Sequence, residues 1–269
     1  MNKRFNKILE DIKKVKIQGA RNIAKAALYA YSLEKTKSAK EKLIHARPTE
    51  PMLVNVMNKV DKLGYKKTLA HFDSAQEKIN KNVFKIIKNN QRIFTHCHST
   101  NVVNSLIYSK RHGKKFQVYN TETRPLFQGR QTAKELRNSG IKVTQFIDSA
   151  MAFAIEKENK KDKIYVNIIL LGADAVLKDG VINKIGSGMI AELAKLHHIP
   201  LYIVADSWKY SKMPVKIEQR NVNEVWNKAP SNIRIKNPAF EKVPEKYITG
   251  IISELGILSF KKFVKKFSY

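Results

Sequence analysis

The stretch that decides the fold reads Ile93-Phe94-Thr95-His96-Cys97-His98-Ser99-Thr100-Asn101. An apolar run meets small polar residues there, and a helical pattern follows. Proteins of the α/β class present reactive side chains in this way, at the carboxyl end of a strand beside the positive end of a helix. Such a position can lower the pKa of a thiol and hold a phosphate group. The stretch therefore predicts an α/β fold that places Cys97, the single cysteine of the chain, at a functional edge.

Short strands and helices alternate in the chain after residue 91. The predicted strands are Arg92–Thr95, Phe116–Asn120, Lys142–Ile147, Tyr165–Leu171 and Leu201–Ala205. The predicted helices between them are Asn101–His112, Gln131–Asn138, Ser149–Glu156 and Met189–His197. This alternation predicts a mainly parallel sheet with helices on both faces, in which ligands bind at the carboxyl ends of the strands.

The first 90 residues show helical periodicity, and we expect no strand before residue 91. Apolar residues recur three and four positions apart from Ile17 to Leu28 and again from Leu53 to Val60. Arg47-Pro48-Thr49 interrupts this pattern, and Pro51 suits the first turn of the next helix. We therefore predict a helical N-terminal domain, 1–90, followed by an α/β domain, 91–269.

Composition limits the class of protein. Hydrophobic residues make up 43% of the 269 residues, which is ample for a packed core. One cysteine cannot form an intramolecular disulfide, and this favours a reducing, cytoplasmic compartment. The first seven residues lack the apolar region of a signal peptide, and no apolar stretch approaches the twenty or so residues that span a bilayer. We expect no membrane partner.

The formal net charge of +28 allows two interpretations. It could mark a nucleic-acid or phosphorylated partner. It could equally reflect a lysine-rich composition that solvates every helix face, because the basic residues are spread along the whole chain. The chain has no RNA-binding signature that interleaves them with aromatic residues. We therefore do not expect nucleic acid as the partner, although a positive field would help to gather an anionic substrate.

Each predicted strand ends in residues that are unusual for a core. Thr95-His96-Cys97-His98-Ser99 ends the first strand, and Thr121-Glu122-Thr123-Arg124-Pro125, followed by Gln128-Gly129-Arg130, ends the second. Gly172-Ala173-Asp174 and Asp206-Ser207-Trp208-Lys209 end the fourth and fifth. Because the carboxyl ends of parallel strands meet at one edge of a sheet, we expect these side chains to converge on one crevice.

Each of these residues also has a less specific interpretation. Cys97 could be a buried structural thiol, the usual fate of a free cysteine. His96 and His98 beside it could hold a metal ion, yet they would lie on one strand face and Cys97 on the other, and no further ligand pattern completes a site. We therefore expect no metal, and the histidines could instead tune the thiol electrostatically. Asp174 could be a helix cap or turn carboxylate.

One glycine-rich segment is a candidate phosphate cradle. Asn183-Lys184 is followed by Gly186-Ser187-Gly188, which pairs a cation with the predicted entry to a helix. By contrast, Asp179-Gly180 looks like an ordinary turn.

Taken together, these residues resemble the superfamily of ribose-1,5-bisphosphate isomerases, methylthioribose-1-phosphate isomerases and the regulatory subunits of translation initiation factor 2B. The landmarks are Gly19-Ala20, Arg47-Pro48-Thr49, Thr95-His96-Cys97, Thr121-Glu122-Thr123-Arg124-Pro125, Gln128-Gly129-Arg130, Gly172-Ala173-Asp174, Asn183-Lys184-Ile185-Gly186 and Ile251-Ile252-Ser253-Glu254-Leu255-Gly256. The Thr-Glu-Thr-Arg-Pro and Gln-Gly-Arg strings look most like the archaeal ribose-1,5-bisphosphate isomerases. The resemblance covers nearly the whole chain and implies a helical N-terminal domain followed by a Rossmann-like domain.

The resemblance also implies roles for particular residues. Cys97 and Asp174 match the catalytic pair of the isomerases, and the initiation-factor subunits generally lack that cysteine. The implied substrate-binding residues are Gln18, Gly19, Ala20, Arg21, Arg47, Ser99, Thr100, Asn101, Asn183, Lys184 and Lys209. The family usually has an arginine where Gln18 stands, so a cation is missing at an expected phosphate site, and Arg21 is a candidate replacement.

The implied reaction converts ribose 1,5-bisphosphate to ribulose 1,5-bisphosphate, in the salvage of nucleoside phosphates such as AMP. It needs two proton-transfer groups and cations for two phosphates, and we expect no metal ion or organic cofactor. Two alternatives stay open: a non-catalytic regulatory subunit, and a methylthioribose-1-phosphate isomerase. The family also implies a homo-oligomer, a dimer or hexamer, and AMP as a candidate activator.

Overall fold

The computed structural model describes residues 2–156, 165–217 and 219–267. Four helices precede the first strand, as the periodicity predicts: α1 (Lys3–Lys13), α2 (Ala20–Leu33), α3 (Lys37–Ala46) and α4 (Pro51–Ile86). Pro51 stands in the first turn of α4, as predicted. Apolar side chains from all four helices, among them Phe5, Leu28 and Leu53, form one buried cluster. The domain boundary at residue 90 stays a prediction.

Helix α4 joins this helical cluster to the sheet. It changes direction at Gly64, whose φ of 76° lies in the left-handed region that glycine tolerates. Leu53, before the kink, packs among the N-terminal helices. Ile79 and Val83, after it, belong to the buried cluster that also contains Ile93 of the first strand. One helix therefore contacts both parts of the molecule.

Strands and helices alternate after residue 90 in the described part of the chain. The strands are β1 (Gln91–Thr95), β2 (Phe116–Thr121), β3 (Lys142–Phe146), β4 (Ile168–Leu171), β5 (Ala175–Leu177), β6 (Gly180–Lys184), β7 (Leu201–Val204), β8 (Phe240–Pro244), β9 (Gly250–Ser253) and β10 (Gly256–Leu258). The helices are α5 (Thr100–Arg111), α6 (Gln128–Asn138), α7 (Met151–Ile155), α8 (Ser187–Leu196) and α9 (Phe260–Lys265).

Seven strands form the main sheet in the order β10-β9-β7-β4-β1-β2-β3, and β10 alone among them pairs antiparallel. β1 pairs with β2 on one side and with β4 on the other. The chain thus runs outward from β1 in both directions, and such a reversal opens a crevice at the carboxyl ends of the two central strands. This arrangement confirms the predicted helical region followed by a mainly parallel α/β fold.

Alternation along the central strands builds a core on each face of the sheet. Ile93 of β1 packs in the cluster shared with α4, whereas Phe94 points into the cluster on the other face. β4 repeats the pattern, with Ile168 on the first face and Ile169 on the second. All four residues of β4 are buried, as expected for a parallel strand covered on both sides.

A second, antiparallel sheet of order β5-β6-β8 is present that the sequence pattern does not predict. Asp179-Gly180, expected as a turn, lies where β5 turns into β6, with Leu177 paired to Gly180. The three residues of β5 are too few to show a period, which explains the omission. This sheet matters because β6 ends in Asn183 and Lys184.

Several predicted boundaries also differ. The fourth strand begins at Ile168, three residues later than predicted, and the expected helix 149–156 is a 3-10 turn, Asp148–Ala150, followed by α7. The apolar segment 247–258 contains the β9–β10 hairpin, where the sequence shows no clear pattern. Among the described residues, no helix is both long and apolar enough to cross a membrane.

Candidate active site

A cavity of about 180 Å³ lies at the carboxyl ends of β1 and β4. Residues 121–125, 129–130 and 206–208, which were also expected to converge there, do not line its wall. The structure does bring together in that wall all the residues predicted as catalytic or substrate-binding. They are Gln18, Gly19, Ala20, Arg21, Arg47, Cys97, Ser99, Thr100, Asn101, Asp174, Asn183, Lys184 and Lys209. Their convergence on one crevice is therefore observed, whereas their individual roles stay predictions.

Cys97 sits in a strained turn that two threonines hold. β1 ends at Thr95, and Cys97 has a φ of 65°, which is uncommon for a residue with a side chain. Its N–H donates to Thr123 Oγ1 at 3.0 Å, and its carbonyl oxygen accepts from the Thr132 hydroxyl at 2.8 Å. Asp148 in turn accepts from the N–H of Thr123 at 2.8 Å. These bonds keep the backbone in a conformation that it would otherwise leave.

The two histidines beside Cys97 are neutral. The Nε2–H of His96 donates to the carbonyl oxygen of Ile185 at 2.8 Å, and its Nδ1 accepts from the Thr121 hydroxyl. Burial lowers the pKa of His96, and it lowers the pKa of His98 as well. A lowered pKa favours the neutral imidazole in both residues, and the hydrogen bond from the His98 backbone, rather than a ring charge, lowers the pKa of the Cys97 thiol. Tuning of the thiol by the imidazole rings stays a prediction.

The pKa of the Cys97 thiol moves in the opposite direction to the one its position suggests. Burial raises it to about 11, and the charges of Asp174 and Asp148 add to the rise. The charge of Lys184 lowers it, though less than burial raises it. Cys97 is consequently a protonated thiol at neutral pH, because desolvation outweighs the charge of Lys184 and the hydrogen bond from the His98 backbone.

Asp174 reaches the cavity through a close approach of two segments. A Cβ on Gly172 would lie 2.6 Å from Ser99 Oγ, so only glycine lets the end of β4 pass so near the start of α5. Ser99 is the N-cap of that helix and accepts from the N–H of Val102. The N–H of Asp174 donates to the carbonyl oxygen of Ile182 at 2.8 Å, which ties the residue to β6.

Three buried cations line the cavity. Lys209 is 7% exposed, and its Nζ donates to the carbonyl oxygen of Ala173 at 2.6 Å, beside Asp174. Lys184 is 5% exposed and lies 5.5 Å from the centre of the Phe240 ring. Arg47 is 6% exposed, and its Nη2 lies 3.5 Å from Glu50 Oε1. Buried cations around a polar cavity favour an anionic ligand.

The segment expected to bind one phosphate is arranged differently from the prediction. Arg21 lines the cavity, but its Nη1 donates to the carbonyl oxygen of Phe72 at 2.7 Å and its Nη2 pairs with Asp73 at 2.6 Å. The Arg21 guanidinium group is thus held against α4 by these two contacts. Gln18 keeps its place in the wall as an uncharged residue. Arg21 therefore does not reproduce a free arginine at position 18.

The backbone amides at the start of α8, expected to bind a phosphate, are already hydrogen-bonded to a side chain of the protein. Glu241 Oε1 accepts from the N–H of Gly188 at 2.9 Å and also from the N–H of Gly186. A carboxylate at a helix N-terminus satisfies the same amides that a phosphate would use. The cradle prediction was wrong at this point, and Lys184 still faces the cavity.

Two of the implied binding residues have structural partners. The Asn101 amide donates to Gln76 Oε1 at 2.9 Å, and the Asn183 amide donates to Ser187 Oγ at 2.8 Å. Each bond fixes a segment of the cavity wall on its neighbour. Their side chains are therefore held in place before any ligand binds.

Sequence reasoning missed Arg220 of the irregular segment before β8. It lines the cavity, and its Nη2 pairs with Glu224 at 2.7 Å. The bridge between Gln219 and Pro238 holds its segment in place. The spacing of Arg220 and Glu224 suggests only a local ion pair, so no signal in the sequence points to the cavity. Gln128, Gln131 and Phe240 also line the wall.

The described residues contain one group with the chemistry to hold a metal ion. His71, Asp206 and Glu254 have ligand atoms within 4.8 Å of one another. None of the three lines the cavity. His71 Nε2 is hydrogen-bonded to Asp206, and Glu254 accepts instead from the N–H of Ser207.

Comparison with known proteins agrees with this fold. The model of the initiation factor 2 subunit family matches residues 64–260. A ribose 1,5-bisphosphate isomerase of Archaeoglobus fulgidus is 31% identical, over 93% of this chain and 88% of that protein. A methylthioribose-1-phosphate isomerase of Thermosipho melanesiensis is 31% identical, over 95% and 87% of the two chains.

A solved structure shares the architecture. The translation initiation factor eIF-2B of Pyrococcus horikoshii superposes with a TM-score of 0.83 at 26% identity, over 96% of this chain and 98% of that chain.

Proposed function

This chain belongs to the initiation factor 2 subunit family, and we propose that within it the protein converts ribose 1,5-bisphosphate to ribulose 1,5-bisphosphate. It is an isomerase. The relatives that are similar over nearly its whole length are isomerases too. One observation carries the choice of substrate: a single cavity holds a thiol, a carboxyl group and three buried cations. A bisphosphate needs both proton-transfer groups and cations in one place.

The reaction requires two proton transfers at carbon. A sugar phosphorylated at C1 cannot open to a free aldehyde, so its ring must open while the phosphate stays attached. A proton leaves C2 and another arrives at C1. We assign the carbon protons to Cys97 and the oxygen protons to Asp174.

A route with one shared proton balances. The proton of Cys97 first passes to Asp174, which gives a thiolate and a carboxylic acid. The thiolate takes the C2 proton, the electrons form the C1=C2 bond, and the bond from C1 to the ring oxygen breaks as Asp174 protonates that oxygen. The Asp174 carboxylate then takes the proton of the C2 hydroxyl while Cys97 protonates C1. The product is a ketone at C2. The pair is then again a thiolate and a carboxylic acid, and transfer of the proton from Asp174 back to Cys97 restores the initial state.

The raised pKa of Cys97 fits this route. A thiolate of pKa about 11 is a stronger base toward a C–H bond than an ordinary thiolate. It is rarely formed in the free enzyme, so the carboxyl group must accept its proton in the complex. Arg47, Lys184 and Lys209 are proposed to bind the phosphates, with the guanidinium able to make bidentate contacts.

A second candidate substrate is methylthioribose 1-phosphate. Gln18 removes one expected cation, Arg21 is fastened to α4, and Val15 and Phe240 add apolar surface to the wall. A thioether would suit apolar wall where a second phosphate would need charge. The regulatory-subunit interpretation rests on the likeness to an initiation factor, and the presence of Cys97 together with Asp174 speaks against it.

A turnover assay separates the three candidates. Wild-type protein and Cys97→Ser are incubated with ribose 1,5-bisphosphate and, separately, with methylthioribose 1-phosphate, and the ketose products are measured. Turnover of the bisphosphate that depends on Cys97 supports the proposal. Turnover of methylthioribose 1-phosphate alone would replace the substrate. Folded protein inactive on both would favour the regulatory subunit.

Two further parts of the proposal concern the setting of the enzyme. We infer a cytoplasmic homo-oligomer that acts in AMP salvage. Ile147, Phe153 and Trp226 are large apolar side chains that are exposed in the single chain, and we propose them as candidates for the subunit interface. Light scattering on purified protein tests the assembly, and adding AMP to the turnover assay tests activation.

A further inference from the structure

The turn that carries Lys209 is fixed at its first residues by two carboxylates. It follows β7 as Asp206 and the 3-10 turn Ser207–Lys209. Asp206 Oδ1 accepts from the N–H of Trp208 at 2.9 Å. Glu254, between β9 and β10, accepts from the N–H of Ser207 at 3.1 Å. The amides at the start of the turn are therefore satisfied by side chains of the sheet edge.

Helix α4 holds the same turn from the other side. His71 Nε2 lies 3.1 Å from both carboxylate oxygens of Asp206. The His71 ring also stacks on the Trp208 indole, with ring centres 3.5 Å apart and planes within 1° of parallel. Phe72 meets the indole edge-on at 6.2 Å. Asn55 donates to the carbonyl oxygen of Trp208 at 2.7 Å.

The far end of the turn lies in the active cavity. Lys209 is separated from Asp206 by two residues, and its buried Nζ meets the carbonyl oxygen of Ala173 beside Asp174. A shift of Asp206 or Trp208 would therefore move the ammonium group relative to a bound phosphate. The next two residues of α4, Phe72 and Asp73, also hold Arg21, through a hydrogen bond and an ion pair.

We propose that His71, Asp206 and Glu254 form a junction that fixes the Ser207–Lys209 turn on α4 and so places Lys209 for phosphate binding. His71 is the positioning residue that the helical region contributes. This inference rests on the proposed function, because it assigns Lys209 to the phosphate of that substrate. The carboxyl groups of Asp206 and Glu254 lie close together, and His71 supplies the hydrogen-bond donor that joins α4 to Asp206.

The kinetic test compares two substitutions of His71. His71→Ala removes the donor and the stacked ring, and we expect KM for ribose 1,5-bisphosphate to rise about tenfold, the effect of losing one charged hydrogen bond, with kcat changed much less. His71→Gln places an amide N–H near the position of Nε2, and KM should return to within about threefold of wild type. His112→Ala is the matched control, since His112 also stacks on an aromatic ring, that of Tyr108 at 3.8 Å, away from the cavity.

A double mutant tests whether His71 acts through Lys209. If it does, His71→Ala adds almost nothing to the KM of Lys209→Met, because the group that it positions is already gone. If the increases in KM caused by His71→Ala and Lys209→Met instead multiply in the double mutant, the proposal is overturned. His71 would then only stabilise the fold. Asp206→Asn, which keeps the cap on Trp208 and weakens the bond to His71, serves as the second variant if His71→Ala fails to fold.

A binding measurement keeps the junction testable if the substrate proposal fails. In a Trp226→Phe background Trp208 is the single tryptophan, and its fluorescence reports the turn. Inorganic phosphate serves as the probe, and His71→Ala should weaken its binding about tenfold while His71→Gln does not. Wild-type phosphate affinity in folded His71→Ala would overturn the junction, whatever sugar the enzyme uses. Absence of turnover with the junction intact would count against the substrate alone.

Discussion

The cavity is built from two groups of residues that are held in different ways. Cys97 and Asp174 follow the tips of adjacent strands, and their backbones are bonded to Thr123, Thr132 and β6. Arg21, Arg47 and Arg220 instead come from helices and from an irregular segment, and each pairs with a carboxylate of its own surroundings. The difference suggests that the strand tips fix the reacting groups, whereas the arginines from outside the sheets add to the anion binding that Lys184 and Lys209 provide.

The largest effect should come from the strand-tip pair. Cys97→Ser and Asp174→Asn should each lower kcat by about 10²- to 10⁴-fold, because each removes a group that transfers protons in the transition state. Circular dichroism should show an unchanged fold. Asp179→Asn is the matched control, since Asp179 is an exposed turn residue paired with Lys242. Normal turnover by Cys97→Ser would contradict the assigned mechanism and remove the distinction between the two groups.

Substituting a cavity arginine that lies outside the sheets should have a smaller effect, and that effect should be on substrate binding. We propose that Arg220, in the cavity wall, attracts the anionic substrate in the ground state and the transition state alike. Arg220→Gln should therefore raise KM about tenfold and change kcat little. Arg234→Gln, an exposed arginine of the same irregular segment, should leave both constants unchanged. If Arg220→Gln instead lowered kcat and spared KM, the division of roles would fail.

The sequence predicts the strand tips well for a physical reason. Alternating apolar runs and helical periods identify β1, β4 and β7, and the carboxyl ends of parallel strands meet at one edge. Convergence therefore follows from local pattern. Gln18, Arg21 and Arg47 came from resemblance to a family, since periodicity alone does not say which helix covers the crevice.

The remaining features depend on contacts that no local pattern encodes. β5 and β8 are short, and β8 pairs with β6 about sixty residues away. Glu241, on β8, reaches the start of α8 and fills the expected phosphate cradle. The pKa of Cys97 follows its burial, which the polar neighbours of the sequence conceal. His71 and Glu254 reach Asp206 from positions more than 40 residues distant.

The burial of the thiol gives a sharper test of the strand-tip group. The rate of Cys97 alkylation by iodoacetamide should keep rising with pH toward about 11, since the thiolate is the reacting form. Lys184→Met should move the rise to still higher pH, because the charge of Lys184 favours the thiolate. Lys178→Met, at the exposed β5–β6 turn, should not move it. A plateau already reached at pH 8 to 9 would show that Cys97 is not desolvated as the structure has it.

The smallest effect concerns stability at the junction between sheet and α4. Burial raises the pKa of Glu254 above its ordinary value of 4.5, and the charge of Asp206 adds to the rise. Below pH 4.5 the group is neutral in both the folded and unfolded states. As pH increases through the interval between 4.5 and the raised pKa, the unfolded chain ionises more readily, so the free energy of unfolding falls.

Glu254→Gln removes this ionisation and keeps an acceptor for the N–H of Ser207. Its melting temperature should exceed that of wild type at pH 7–8, and the difference should vanish near pH 4. Glu77→Gln is a control of opposite sign, because the hydrogen bond from Lys81 lowers the pKa of exposed Glu77. That variant should be slightly less stable than wild type at neutral pH and equal to it in acid. A lower melting temperature for Glu254→Gln at pH 8 would mean that the charged carboxylate stabilises the junction, and the sheet edge would then hold Lys209 by an ion pair with α4.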